Sequence, residues 1–334
     1  MGNETVGPAA SLVFGPVPSR RLGRSLGVNT IPHKVCTYSC SYCQVGRTTR
    51  YSVERQAFFP ADAIFEGVRG RLGELRNRHE RCDFVSLVPD GEPTLDLGLG
   101  RCIRLLKTLG IPVAVITNAS LLDRRDVRAD LVAADWVSVK VDAVRERTWR
   151  ALNRPHRSLV LADILEGVVA FRRTYAGRLV TESMLVRGAN DGDEDVDALA
   201  VFLARLAPAL AYLALPTRPP ADARVKAASP AAFTRAHQLS MAWGQPVEML
   251  TGSEGNRFSA SGDPVADLLS ITAVHPMRRA AVEALLARTH ARWQVVHDLV
   301  MDGRLTETPF AGDMFYLRSF SKGHCESTQT PEGG

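Results

Sequence analysis

The residues best equipped for chemistry in this chain are three cysteines. Cys36, Cys40 and Cys43 stand in HKVCTYSCSYCQVG, a C-x-x-x-C-x-x-C run. Three thiolates at that spacing suit three irons of a cubane cluster and leave the fourth iron open, whereas a fully ligated electron-transfer cluster takes four cysteines. An open iron can chelate a small molecule through an amine and a carboxylate. Tyr42, directly before the last cysteine, is placed to shield such a cluster and to present its backbone to an adenine. A second reading enlists His33: H-x-x-C-x-x-x-C-x-x-C also fits a closed Cys3His zinc site that merely pins a loop. MGNETVGPAA shows no secretion signal, so a tight cysteine cluster points to metal more than to disulfides. Cys82 and Cys102 read as small buried apolar residues, and Cys325 falls in a polar tail.

Two further strings stand at strand ends. Asp90-Gly91-Glu92-Pro93-Thr94 follows an apolar run, and Thr117 and Asn118 close another in VITNAS. The elements that must position them can be read from periodicity. Short apolar runs at 26–30, 84–88, 112–117, 136–141, 179–186 and 212–215 predict strands. Between them, apolar residues recur at three and four over 61–78, 97–109, 124–134, 161–175 and 194–206, which predicts helices. Alternation of this kind makes parallel βαβ units. The expected fold class is α/β, a partial (β/α)6 barrel whose ligands gather at the carboxyl ends of the strands.

In that setting the cysteine loop resembles the signature of the radical S-adenosylmethionine (radical SAM) superfamily. DGEPT resembles the family's glycine-glutamate-proline element after strand two, with Asp90 where glycine is commoner, and Thr117-Asn118 resembles its TN element. The resemblance spans residues 13–215. It implies one [4Fe-4S] cluster on Cys36, Cys40 and Cys43, and SAM held with help from Tyr42, Gly91, Glu92, Pro93, Thr117 and Asn118. Reductive cleavage of SAM would yield a 5′-deoxyadenosyl radical that abstracts hydrogen from a substrate. A flavodoxin or ferredoxin would supply the electron. Lys140 and Asp142, at the end of strand four, are expected to meet the ribose or the methionine carboxylate, or else to pair with one another. Arg187 and Asn190 are expected adenosine or substrate contacts, unless Asn190-Asp191-Gly192 is only a turn, and Arg218 a substrate contact or a capped exit.

The opening FGPVPSRRLGRSLGV and the terminal TAVHPMR and FYLR strings resemble bacterial stand-alone proteins grouped with the wyosine-type tRNA-modifying radical enzymes. Those synthases carry a second cluster on upstream cysteines. No cysteine precedes Cys36 here, so one cluster is expected.

Length and charge complete the reading. At about 150 residues per domain, 334 residues allow about two domains. The parts expected are a basic lead-in over 1–25, the barrel over 26–217, an extension and linker over 218–260, a winged-helix-like domain over 261–320 and a disordered tail over 321–334. The extension holds a helix at 230–243 and a strand near 247–250; the winged-helix reading takes helices at 263–269, 276–289 and 292–301 and a hairpin turning at Ala311-Gly312-Asp313. Apolar residues make up 45% of the chain, which excludes wholesale disorder, and the longest charge-free runs are fifteen residues, too short to span a membrane. The protein is expected in the cytoplasm. Net charge is +5, yet residues 15–50 alone carry Arg20, Arg21, Arg24, Lys34, Arg47 and Arg50 and no acid. Such a field favours anionic ligands. The substrate expected is therefore tRNA or another RNA, with a protein as the other class. The alternative of a different kind is a zinc or redox-sensing winged-helix regulator without catalysis.

Overall fold

The computed structural model describes residues 12–319 except 89, 252–254, 257, 259 and 261. The expected tail and Cys325 lie outside the described residues. In chain order the elements are β1 (Val13–Ser19), β2 (Gly23–Val28), β3 (Val35–Cys36), β4 (Arg50–Tyr51), α1 (Ala61–Asn77), β5 (Phe84–Leu87), a 3-10 turn (Pro93–Leu95), α2 (Leu99–Lys107), β6 (Val113–Thr117), α3 (Arg125–Leu131) and β7 (Trp136–Lys140). There follow α4 (Glu146–Asn153), α5 (Leu161–Thr174), β8 (Arg178–Met184), α6 (Asp193–Leu206), β9 (Leu210–Ala214), α7 (Pro230–Ala242) and β10 (Val247–Leu250). The last part holds α8 (Pro264–Val274), β11 (Met277–Arg278), α9 (Arg279–Arg288), α10 (Gln294–Met301), β12 (Leu305–Phe310) and β13 (Asp313–Arg318).

One sheet carries the order β1-β2-β5-β6-β7-β8-β9-β10. From β2 to β10 every pairing is parallel, and β1 alone runs antiparallel to its neighbour β2. All six expected strands are present as neighbours, forming the partial α/β barrel. The sheet is wider than the sequence reading had it. β1 extends one edge from within the lead-in, where its prolines hid it. β10 pairs with β9 in the same sheet, so the βα alternation continues through α7 into the segment expected as an extension over 218–260. Helix α4 was also not anticipated; it has only two turns, too few for a clear period.

The two faces of the sheet bury different things. Leu26, Val28, Val85, Leu87, Val113, Val115, Val137 and Val139 pack against Ile64, Val68, Leu72, Ile103, Val127 and Val168 of the surrounding helices. On the opposite face Leu22, Ala114, Trp136, Val180, Tyr212, Ala214 and Leu250 form a separate cluster, of which Ala214 and Leu250 border a cavity. Strands covered on both faces read as continuous apolar runs. Leu22 comes from the β1–β2 turn, which carries Arg20 and Arg21 to the same face.

The C-terminal elements form a three-stranded sheet, β11-β13-β12, with three helices around a second core that includes Leu268, Ile271, Met277, Val282, Leu285, Leu299 and Tyr316. The order of these elements is helix, strand, helix, helix, hairpin. Asp263 caps α8 by accepting from the amides of Val265 and Ala266 at 2.9 and 3.0 Å, with Pro264 in the first turn. Helix α8 rests on β1, and Arg288 donates to the Phe258 carbonyl at 2.6 Å.

Candidate active site

The cysteine loop follows β2 and lies over the carboxyl ends of the parallel strands. Each thiol meets a different N–H donor. Asn118 Nδ2 approaches Cys36 Sγ at 3.5 Å, Asn153 Nδ2 approaches Cys40 Sγ at 3.4 Å, and Lys34 Nζ approaches Cys43 Sγ at 3.2 Å. Burial pushes the Cys36 thiol up to about 11 and the Cys40 thiol up to about 12. Burial alone would lower the Lys34 ammonium, but the surrounding cysteines outweigh it and its pKa is raised. Metal binding must therefore expel protons from these thiols.

The two strand-end strings meet beside the loop. Glu92, 1% exposed, caps the 3-10 turn and accepts at Oε1 from the Thr94 amide (3.0 Å), the Thr94 hydroxyl (2.7 Å) and the Thr117 hydroxyl (2.6 Å). Its Oε2 accepts from the Asn118 amide at 2.7 Å. Burial raises the Glu92 pKa against those donors. Gly91 is required by contact, since a Cβ there would stand 1.8 Å from the Val35 carbonyl oxygen. Pro93 occupies the first turn position. Asp90 meets His33 Nδ1 at 2.9 Å and borders the cavity, and among the described residues its buried Oδ1 has no hydrogen-bond partner.

Lys140 and Asp142 do not pair with each other. Lys140 meets Glu182 at 2.8 Å and lies over the Tyr42 ring, 5.1 Å from its centre; Glu182 also binds Arg21. Asp142 is buried and holds other parts of the site: it accepts from the Tyr42 hydroxyl, from Asn153 Nδ2 at 2.7 Å and from the Met184 amide at 2.8 Å. Asn190 donates to the Asp142 carbonyl at 2.7 Å and to that of Met184 at 2.8 Å.

Part of this set borders one cavity of about 260 Å3. Its wall holds Cys36, Cys40, Cys43, Tyr42, Gly91, Glu92, Thr117, Asn118 and Lys140, together with Arg20, Arg21, Glu182, Met184, Arg218 and Val274. Arg218 donates to Gln44 Oε1 at 2.6 Å and to His275 at 3.1 Å, and Gln44 donates to the Val274 carbonyl at 3.2 Å. The C-terminal unit thus closes over the loop.

Residues 30–200 match the Radical SAM superfamily. The chain belongs to the radical SAM superfamily. It is 42% identical over 311 residues to the UPF0026 protein MJ1312 of Methanocaldococcus jannaschii, covering 92% of this chain and 96% of that one. The UPF0026 protein slr1464 of Synechocystis sp. is 35% identical over 210 residues, 62% of this chain and 76% of that one. In fold, the chain is similar to Streptococcus suis SuiB bound to S-adenosylmethionine, with a TM-score of 0.50, 13% identity and coverage of 67% of this chain and 50% of SuiB.

This radical SAM protein is an enzyme of the superfamily's kind, and the superfamily's cofactors are a [4Fe-4S] cluster and SAM. The residues fit a cluster better than a single ion. Among the described residues no three His, Cys, Asp or Glu side chains converge closely enough to hold one metal ion. Three irons spread over a cubane need no such convergence, and the three thiols still face one cavity. His33 is turned to Asp90 and is absent from the cavity wall, which leaves the Cys3His zinc site without its fourth ligand.

Of the radical SAM site residues expected from sequence, four are absent from the cavity wall: Pro93 and Asn190, which are buried and hold turns, and Asp142 and Arg187. Arg187 is exposed and outside the cavity, because the turn held by Asn190 directs it to solvent. Asp142 is spent on Tyr42, Asn153 and Met184 and is likewise absent from the cavity wall. Sequence reading took Arg21 and Lys34 only as part of the basic run over 15–50, and it missed Asn153, Glu182 and Gln44. Lys34 had a signal, two residues before Cys36; Asn153 and Glu182 had none, being polar residues in ordinary helix and strand contexts.

Proposed function

We propose that Cys36, Cys40 and Cys43 each bind one iron of a single [4Fe-4S] cluster and that SAM occupies the adjoining cavity. The observation that carries this is the arrangement of three thiols on one cavity wall, each with its own N–H donor and with no fourth cysteine beside them among the described residues. When bound, the cluster and SAM supply a 5′-deoxyadenosyl radical that takes a hydrogen atom from the substrate. The chain's own residues orient and enclose. Gly91 lets the DGEPT backbone lie against the loop, Glu92 locks Thr94, Thr117 and Asn118 in register, and Pro93 fixes the turn between them. Tyr42, held through Asp142, borders the cavity, and Lys140 stands over its ring where a ribose or carboxylate would lie. Leu215, Leu250 and Val274 in the wall exclude water, as chemistry through a reactive radical requires.

The substrate reading follows from the wall's charge. Arg20, Arg21, Lys34, Lys140 and Arg218 outnumber Asp90, Glu92 and Glu182 there, so the substrate is read as anionic, and of the two classes considered RNA suits that wall better than protein. The electron donor is read as a flavodoxin or ferredoxin, which places the reaction in the cytoplasm. Among the described residues no helix is long and apolar enough to cross a membrane.

The test is anaerobic reconstitution with iron and sulfide, followed by dithionite and SAM. Release of 5′-deoxyadenosine by the wild type, lost on replacing any one of the three cysteines by alanine, is the expected result. A correctly loaded protein that releases none, beside a control radical SAM enzyme that does, overturns it. Stimulation by bulk tRNA, suppressed by salt, tests the substrate class.

A further inference from the structure

Two stretches of the chain carry no carboxylate, residues 5–53 and 147–162. The fold lays parts of them side by side. The Ser39 amide donates to the carbonyls of Asn153 and Arg154 at 3.1 Å, the Ser41 amide to that of Leu152 at 2.8 Å, and the His156 amide to that of Thr37 at 2.8 Å. The segment that ends α4 therefore backs the cysteine loop along its outer edge. There an open groove is lined by Tyr51, Arg150, Arg154, Pro155, His156 and Arg157, with no acidic side chain in its wall. Arg150 meets Glu146 one turn earlier at 2.7 Å, and Arg154 meets Asp222 at 2.7 Å. Arg157 is exposed and forms no ion pair among the described residues.

This groove shares no wall residue with the cavity, yet it reaches the thiols in few steps. Tyr51 is the ladder partner of Cys36 between β3 and β4 and is 44% exposed. Asn153, the donor to Cys40 Sγ, immediately precedes Arg154. The Tyr51 hydroxyl also reaches the Arg154 carbonyl at 3.5 Å.

A cationic groove suits an acidic protein or the phosphates of RNA. Position decides between them. Bound here, RNA would lie on the far side of the loop from the cavity, whereas an electron has to enter from a side that SAM and substrate leave clear. We propose that this groove docks an acidic one-electron carrier protein, which delivers its electron across the cysteine loop. The proposal rests on the reading that the three cysteines hold a cluster. In the step, one electron leaves the carrier's reduced centre, which is oxidised, and one is gained by the cluster, which is reduced; no atom or proton is transferred.

The test uses the reconstituted full-length enzyme and two reductants. Dithionite is small and needs no docking surface; an acidic flavodoxin kept reduced by its NADPH-dependent reductase is the protein probe. For the double variant Arg150→Glu with Arg157→Glu, iron content and dithionite-driven release of 5′-deoxyadenosine should match the wild type. Flavodoxin-driven release should fall about tenfold or more at low salt, as loss of electrostatic steering predicts. The double variant Arg150→Lys with Arg157→Lys should retain the wild-type rate. Equal flavodoxin-driven rates in the charge-reversed and wild-type enzymes overturn the proposal. So does loss of tRNA retention on charge reversal with the flavodoxin-driven rate untouched, which would make the groove an RNA surface. Should dithionite itself release no 5′-deoxyadenosine from the wild type, the cluster reading fails instead. Calorimetric titration with flavodoxin then decides the groove separately: binding that charge reversal abolishes supports it, and no binding by the wild type overturns it.

Discussion

The backbone amide of Asn118 donates to the Glu92 carboxylate at 2.7 Å, tying the residue after β6 to the loop that follows β5. Asn118 then reaches with its side chain to Cys36 Sγ and, at 2.7 Å, to the Thr37 hydroxyl. A single buried carboxylate therefore joins three segments that are remote in sequence, and the cysteine loop takes its position from that junction.

Glu92→Ala removes the common acceptor and leaves the Thr94, Thr117 and Asn118 donors unpaired in the interior. A loss of about 3 kcal/mol or more of stability is expected, since each buried unsatisfied group costs about 1–3 kcal/mol. The urea midpoint of the cluster-free protein measures it. A midpoint equal to the wild type's would show that the junction does not hold the loop.

Tyr42→Phe removes one donor to Asp142 while leaving Asn153 and the Met184 amide on that carboxylate. The expected loss of stability is about 1–3 kcal/mol. If Tyr42 meets the adenine through its backbone, SAM affinity should change little. Equilibrium dialysis with labelled SAM on the loaded protein checks this, and a large loss of affinity would assign the contact to the hydroxyl.

Gly91→Ala places a Cβ within 1.8 Å of the Val35 carbonyl oxygen, so the backbone on one side must move. Val35 precedes Cys36. Iron bound per chain after reconstitution should therefore fall well below the wild-type value. Full loading would mean that the DGEPT segment yields instead of the loop, and the loss would then appear in SAM binding.

Glu182→Ala leaves Lys140 and Arg21 without their shared carboxylate, with side chains only 18% and 16% exposed. Both cations border the cavity and keep some contact with solvent, so the loss should be about 1–3 kcal/mol, below that of a fully buried pair. Glu182→Gln should recover part of it by keeping an acceptor for Lys140. Thermal unfolding of both variants at matched pH compares the two.

Burial pushes the Asp96 carboxyl from its ordinary 3.8 up to about 6. Between those values the unfolded chain has lost a proton that the folded chain keeps, so stability falls as pH rises through the window. Asp96→Asn cannot ionise. Its stability relative to the wild type should therefore climb from about pH 4 to about pH 6 and then level off, by about 3 kcal/mol in order of magnitude. Urea midpoints at pH 4, 5, 6 and 7 trace the curve; a difference that is flat with pH would contradict the shift.

Much of the site was legible because its motifs are local. Cys36, Cys40 and Cys43 lie within eight residues, Gly91 to Thr94 within four, and both strings sit at the ends of strands whose apolar runs are plain in the sequence. The donors to the thiols were not legible. Asn153 and Asn118 reach Cys40 and Cys36 across sequence separations of 113 and 82, and no periodicity encodes such a meeting. The pairing of Lys140 with Glu182 was hidden for the same reason: their strands are neighbours, but which face and register they share emerges only once β7 and β8 are aligned.

By itself the sequence determined the chemistry available and the kind of scaffold: three thiols in a short loop, an acid and an amide at strand ends, and alternating strands and helices to carry them. Tertiary structure alone decided which of those polar groups face the cavity and which are consumed in holding it. Asp142 and Lys140 look equivalent as strand-end residues, yet Asp142 is buried under Tyr42 and Asn153 while Lys140 borders the cavity. The physical reason is that a strand fixes a residue's side by alternation, whereas a buried charge takes whatever partners the packed neighbours bring, and those come from distant parts of the chain.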